Sequence, residues 1–373
     1  MADESLQLAL ARHETDEAFL DQTMSLAEAQ GIVLERAFLR RLIGPDPLGL
    51  RRFSGSATVA ADWPSSRWLP VHLGRESEGA LVVDWAHFGD TAPTDPFFEL
   101  SAMRALNLPF NRLFRWRMRL EDFLRGAQAG EGRAPDGLIF HMSRCGSTLA
   151  AQMLASVSSN LVIAEAPPVD LMVQLGDLRG LAALAAAFAR SQTDGPRRCF
   201  LKLDSWHILA LPLFRRAFPT TPWVFLYRDP VEVLVSQARQ RGLQTVPGAL
   251  PAALLGLDGA GALGADEYAV RVLENICQAA LDGVAGGGGL VINYNELPHA
   301  LWTRILPHFG VPVSDADQAA MKAAALVDAK APYTAFVPDA DAKQREASSD
   351  LRALAGRRLA GQHRALEALR PTA

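Results

Sequence analysis

The sequence has little cysteine, no surplus of positive charge and no long apolar run, and each lack closes off a class of protein. Its three cysteines, Cys145, Cys199 and Cys277, are an odd set with none of the paired spacings of a zinc site, so a disulfide-built scaffold is excluded. A reducing compartment fits best. Lysine and arginine number 37 against 41 aspartates and glutamates, a formal net charge of −4, so no bulk positive field exists to hold nucleic acid. A polyanionic ligand must therefore be met by a local cluster. No window approaches the roughly 18 uninterrupted apolar residues that read as a membrane span. The first residues, MADESLQLALARHETDEAF, lack the basic start and pure apolar stretch of an export signal. The expectation is a cytoplasmic protein with no membrane span and no nucleic-acid partner.

What is present is ordinary globular material, 49% hydrophobic and 21% charged, in a 373-residue chain long enough for two domains. Up to about residue 130 lie four of the seven tryptophans and two strand-like runs, RWLPVHLG (67–74) and GALVVDWAHFG (79–89), joined by the polar RESE. They predict a hairpin or small sheet. Helices are expected over about 15–30, 34–43 and 96–126, the last ending in the basic-aromatic NRLFRWRMRLEDFL. Its aromatic and apolar residues are expected to pack while the arginines face solvent. The Gly/Pro-rich AQAGEGRAPDG (127–137) reads as a linker or long loop. It separates an α+β region, 1–130, whose role the sequence does not reveal, from a second domain, 131–373.

In that second part short apolar runs alternate with helical stretches: GLIFHM (137–142), LVIAE (161–165), RCFLKL (198–203), PWVFLYR (222–228) and LVINY (290–294). This pattern predicts a parallel sheet with crossover helices, interrupted by an Ala/Gly/Pro-rich insertion near 243–265. The glycines at 286–289 precede a strand instead of linking a strand to a helix, so they read as a turn and not a phosphate loop. The phosphate-binding position in such a sheet is the loop after the first strand, here FHMSRCGSTL, which leads into a helix N-terminus. Its glycine, Arg144 and the hydroxyls of Ser147 and Thr148 suit an anion. The leading glycine and the lysine of a Walker A loop are missing, which counts against an ordinary ATPase or GTPase. No arginine follows Cys145 to serve a phosphatase nucleophile, so that cysteine reads as a structural thiol.

SRCGSTL resembles the 5′-phosphosulfate loop of the sulfotransferase family, with Cys145 where a serine is usual and Leu149 where many relatives carry a tryptophan. FLYRDPVEVLVSQ is similar to the family's second element, a strand ending in an arginine and a helix with a serine two turns on. The resemblance implies that Arg228 and Ser236 bind the 3′-phosphate of 3′-phosphoadenosine 5′-phosphosulfate (PAPS). It places Lys202, at the end of RCFLKL, beside the bridging oxygen, and Tyr294 near the adenine, with Asn295 in place of the usual acid. Arg144, Cys145, Gly146, Ser147, Thr148 and Leu149 form the donor loop. Glu165 falls where tyrosylprotein-type members carry their catalytic glutamate; read from the residues alone it also suits a helix cap. Cytosolic members use a histidine just after the strand lysine, where this chain has Asp204, so His207 is a second base candidate. His141 reads as a satisfied core or crevice residue. The family's C-terminal loop pattern is absent, and in AFVPDADAKQREASSD (335–350) Lys343 or Arg345 is the substitute expected to close over the 3′-phosphate.

The fold this implies is α/β, a P-loop-like three-layer arrangement around a central parallel sheet, plus the small α+β N-terminal region. The implied reaction is sulfuryl transfer from PAPS, leaving 3′-phosphoadenosine 5′-phosphate (PAP), to a hydroxyl or amine of a small-molecule, peptide or glycan acceptor, with no metal required. Two alternatives stand beside it: a P-loop kinase-like phosphotransferase, and a non-catalytic nucleotide-binding or interaction module.

Overall fold

The computed structural model describes residues 3–44, 58–76, 79–129, 133–190, 197–257, 263–331, 334–335 and 337–370. Residues 77–78 of the expected hairpin turn, 130–132 of the expected linker and 258–262 of the insertion lie outside these. The chain divides into two compact units, one built from residues 1–134, 166–172 and 179–197, the other from 135–165, 173–178 and 198–373.

The first unit holds strands β1 (Thr58–Val59), β2 (Trp68–Arg75), β3 (Leu81–His87) and β4 (Trp116–Arg119) in the sheet order β1-β4-β3-β2. β2 and β3 pair antiparallel from Trp68 opposite His87 to Arg75 opposite Leu81, at the two runs expected to form a hairpin. Trp68, Val83, Met118 and Phe123 are fully buried, each contributing about 1.5–3 kcal/mol of apolar burial. The expected helix over 96–126 is instead two helices, Phe98–Asn107 and Pro109–Leu113, then β4, then the helix Leu120–Ala129. Two local causes override the helical pattern. Leu108 precedes a proline and is extended, at φ −68° and ψ 145°, which ends the first helix. In WRMR the side chains alternate, Met118 entering the core while Arg117 pairs across the strands with Asp84 at 2.6 Å.

The second unit is built on five parallel strands, β5 (Gly137–His141), β6 (Asn160–Ala164), β7 (Arg198–Lys202), β8 (Trp223–Tyr227) and β9 (Gly289–Asn293). Their order is β6-β7-β5-β8-β9, with β5 central. β5, β6 and β8 are buried along their whole length, as expected for strands covered on both faces. Phe140 meets Phe214 and Trp223 edge-on at 5.3 and 5.9 Å in this core. The glycines at 286–288 form the turn into β9, and Gly289 lies so close to the Trp223 indole that a Cβ would come within 2.2 Å of it.

Two helices begin where neighbouring strands β5 and β8 end. Ser147–Ala155 starts directly after the loop that leaves β5. Pro230–Arg239 follows β8, its start fixed by proline in the first turn and by the Asp229 carboxylate, which accepts from the Val231 and Glu232 amides at 2.9 and 3.2 Å. Among the described residues no helix is long and apolar enough to cross a membrane.

Candidate active site

Because all five strands of the second unit run parallel, their C-terminal ends lie along one edge. Read across the sheet in spatial order, that edge presents Glu165 after β6, Lys202 ending β7, His141 ending β5, Arg228 after β8 and Tyr294 after β9. Adjacent strands sit about 4.8 Å apart, so residues far apart in sequence become neighbours. This is the edge at which open α/β sheets bind ligands.

The loop leaving β5 has unusual backbone. Ser143 and Arg144 adopt left-handed φ values of 68° and 54°, and Gly146 follows at 82°. For the two side-chain-bearing residues this conformation costs about 1–2 kcal/mol each, which the surroundings must offset. Several contacts do so. The His141 Nδ1 accepts the Ser143 amide at 3.1 Å, Gln237 Nε2 donates to Ser143 Oγ at 3.1 Å, and the Cys145 thiol donates to the Leu226 carbonyl at 3.2 Å. A Cβ at Gly146 would lie 2.5 Å from the Tyr294 ring, so only glycine allows that approach. The loop leads directly into a helix N-terminus, an end that favours an anion. Ser147, Thr148 and Leu149 are buried in the first turn of that helix. Burial pushes the Cys145 thiol up to about 11, which makes it a packing residue and not a nucleophile. Arg144 is partly buried, and among the described residues its guanidinium has no hydrogen-bond partner; burial lowers its pKa and the nearby Asp339 charge opposes that.

Glu165 also has a left-handed backbone, at φ 50°. Its amide donates to the Lys202 carbonyl at 2.7 Å, and its carboxylate accepts from the Lys202 ammonium in a short contact. Lys202 is only 1% exposed, so this is a charge pair held out of water. The His141 Nε2 lies 3.4 Å from the same carboxylate oxygen. Burial pushes the Glu165 pKa up, but Lys202 and His141 together outweigh it and hold the carboxyl well below the usual range. The glutamate is therefore an ionised group tied to a cation, not a helix cap.

On the other side of β5, Arg228 is 4% exposed and bound on three sides. It donates from Nε to Glu232 at 2.5 Å and from Nη2 to Asp339 at 2.7 Å, and its guanidinium lies 4.0 Å above the Tyr294 ring. Asp339 also pairs with the Lys343 ammonium at 2.7 Å. Its carboxyl is raised by burial but lowered more by Lys343 and Arg228. Ser236 is buried two turns into the helix that Arg228 precedes. Arg345 is exposed, whereas Lys343 is 4% exposed and joined to Arg228 through Asp339.

His207 stands apart from these groups in character. Its Nδ1 accepts the Asp204 amide at 3.2 Å to cap the turn Ser205–Ala210, and its ring packs on Trp206 and Phe214 with no exposure. Four residues of the edge carried no sequence signal for a role there. His141 and Gln237 hold the loop, Asp339 joins two cations, and Lys330 sits in a turn closed by the pairing of Val327 with Ala335. Lys330 reaches solvent, yet partial burial together with the charges of Arg144 and Lys202 lowers its pKa.

No family model matches the sequence, and no curated protein does. Among solved structures, the sulfotransferase domain from the curacin biosynthetic pathway matches at 16% identity and TM-score 0.37, covering 60% of this chain and 97% of that one. In fold the chain is similar to sulfotransferases. The Mycobacterium avium sulfotransferase STF9 matches at 13% identity and TM-score 0.38 over 59% of this chain and 76% of its own. Mouse sulfotransferase SULT7A1 complexed with PAP matches at 13% identity and TM-score 0.38 over 66% and 94%. Likenesses at this level carry no residue roles, which rest on the chain's own geometry.

Proposed function

We propose that the chain is a sulfotransferase that moves the sulfuryl group of PAPS to a hydroxyl or amine of a small-molecule, peptide or glycan acceptor. The observation that carries the proposal is the run of strand ends that sets a buried Lys202–Glu165 pair and a left-handed Ser143–Gly146 loop side by side. The residues fit an anionic nucleotide: an arginine without a hydrogen-bond partner among the described residues, a glycine that leaves no room for a Cβ, and a second cationic group of Arg228 and Lys343. Residues 131–373 are proposed as the donor-binding domain, with 166–172 and 179–197 grouping in the first compact unit. Cytoplasmic location is proposed with it, since all three cysteines are buried and outside any disulfide.

When bound, PAPS supplies a sulfuryl group already activated on a phosphate. Arg144 and the loop amides would hold the 5′ end, and Arg228, Ser236 and Lys343 the 3′-phosphate. The acidity of Glu165 in the present arrangement makes it a weak base. Its proton affinity would rise if Lys202 turned its hydrogen bond to the bound donor, since Lys202 is the largest of the groups that depress it. Glu165 then takes the acceptor's proton as the new bond to sulfur forms and the bridging bond breaks. Lys202 and Arg144 neutralise the charge that develops on the leaving phosphate, a preorganised electrostatic contribution. Remote contacts at Arg228 orient the donor. Glu165, and not the fully buried His207, is the base in this scheme.

Calorimetry with PAP, beside ATP and magnesium, tests the proposal. PAP is expected to bind and ATP to bind more weakly; preference for ATP, or no binding of either, rejects it. A kinase-like phosphotransferase lacks support because the loop has no lysine. A non-catalytic module is distinguished by Glu165→Gln and Lys202→Ala, which abolish turnover of an accepted substrate only if the site is catalytic.

A further inference from the structure

His141 closes β5 with its ring 6% exposed, and its two nitrogens face two different parts of the edge. Nδ1 lies 3.1 Å from the Ser143 amide, which can only donate, so this nitrogen carries a lone pair. Burial and the neighbouring Lys202 charge keep the ring neutral. The ring proton is therefore on Nε2, which donates to the Leu203 carbonyl at 2.9 Å; the Glu165 carboxylate lies further off, 3.4 Å from the same nitrogen. Ser143, bonded to Nδ1, and Glu165, 3.4 Å from Nε2, are two of the three non-glycine residues with left-handed backbone among those described. Strained conformations persist only where neighbours over-determine them. One imidazole reaches both.

We propose that His141 is a positioning residue that fixes the loop leaving β5 through Nδ1 and, with its Nε2–H held on the Leu203 carbonyl, keeps a polar N–H edge against the Glu165 carboxylate, registering donor site and base against each other. The inference rests on the reading of this edge as a PAPS site with Glu165 as base. It assigns His141 no contact with donor or acceptor. The titratable groups facing Glu165 are Lys202 from β7, His141 from β5 and, at longer range, Lys330.

The two arms can be separated by two amides. In His141→Asn the side-chain oxygen stands near the position of Nδ1 and keeps an acceptor for the Ser143 amide, while no donor reaches Glu165. In His141→Gln the amide nitrogen stands near Nε2 and keeps that donor, while the loop loses its acceptor. With PAP as the probe, His141→Asn is expected to bind within about twofold of wild type and His141→Gln roughly tenfold more weakly, the loss of one buried hydrogen bond. Carbon NMR of labelled glutamate should show the Glu165 carboxyl titrating at higher pH in His141→Asn than in His141→Gln, because the polar N–H edge beside its ionised form is gone. Equal losses of PAP affinity in both variants, or no difference in the Glu165 titration, overturn the proposal. Nitrogen NMR of the wild-type ring gives a test free of folding effects: a proton on Nδ1 instead of Nε2 refutes it. If wild type itself fails to bind PAP, the reading of the site fails, while the tautomer and the Glu165 titration still decide the role of His141.

Discussion

In the proposed PAPS site Asp339 holds the two cations assigned to the 3′-phosphate, and replacing it with asparagine should tighten the binding of PAP. Its carboxylate is 2.7 Å from Arg228 Nη2 and 2.7 Å from Lys343 Nζ, and its charge is felt at Arg144. A phosphate that binds to Arg228 and Lys343 must displace that carboxylate or share its partners. Hydrogen bonds to charged groups contribute about 1.5–3 kcal/mol each when buried, and exposed ion pairs about 0–1 kcal/mol. The Asp339 side chain is 42% exposed, which places the two contacts together at about 1–2 kcal/mol after solvent screening. At 1.4 kcal/mol per tenfold, Asp339→Asn should bind PAP about 5–30-fold more tightly. Calorimetry at fixed ionic strength reads this directly, with Asp339→Glu as the charge-preserving control that should stay near wild type. Unchanged or weaker binding by Asp339→Asn refutes the reasoning: the carboxylate would then orient Arg228 and Lys343 for the ligand instead of standing in its place.

The same edge supports further expectations. Glu165→Gln leaves the Lys202 ammonium without its counter-charge and should cost about 3 kcal/mol in urea unfolding, with Glu165→Gln/Lys202→Met losing less than the sum of the single variants. Because the folded carboxyl is held below its unfolded value, the stability it supplies is present above the ordinary carboxylate range and is lost as pH falls through the folded value. The difference between wild type and Glu165→Gln should therefore be level from about pH 5 to 8 and shrink under about pH 4. Arg228→Lys should weaken PAP binding more than tenfold, since a point charge cannot reproduce the fork that now spans Glu232, Asp339 and the Tyr294 face. Gly146→Ala forces a Cβ into the Tyr294 ring at left-handed φ and should cost about 1–3 kcal/mol with loss of PAP binding. Thiol titration should find the native protein unreactive at pH 8 and all three cysteines reactive once unfolded, because each is a buried thiol outside any disulfide.

Much of this edge was legible in the sequence because its signals are local. A short apolar run followed by a helical stretch encodes a parallel strand and its crossover, and the five runs that end near His141, Glu165, Lys202, Arg228 and Tyr294 are the five strands of the second unit. SRCGSTL and RDP likewise announce their loop and helix start within a few residues. The long helix expected over 96–126 shows where such signals mislead. An apolar-basic alternation that fits either period became β4 once Asp84 and the open edge of β3 were there to receive Arg117 and Met118.

The sequence by itself determined which residues end strands and which loop runs into a helix start, since backbone preference and hydrophobic period act over neighbours. Only the tertiary structure decided who meets whom. The order β6-β7-β5-β8-β9 brings Glu165 onto Lys202 and His141. Chain folding over more than a hundred residues brings Asp339 and Lys343 to Arg228. Those pairings set charge state, tautomer and backbone strain, and they depend on strand order and distance, which no stretch of sequence carries alone.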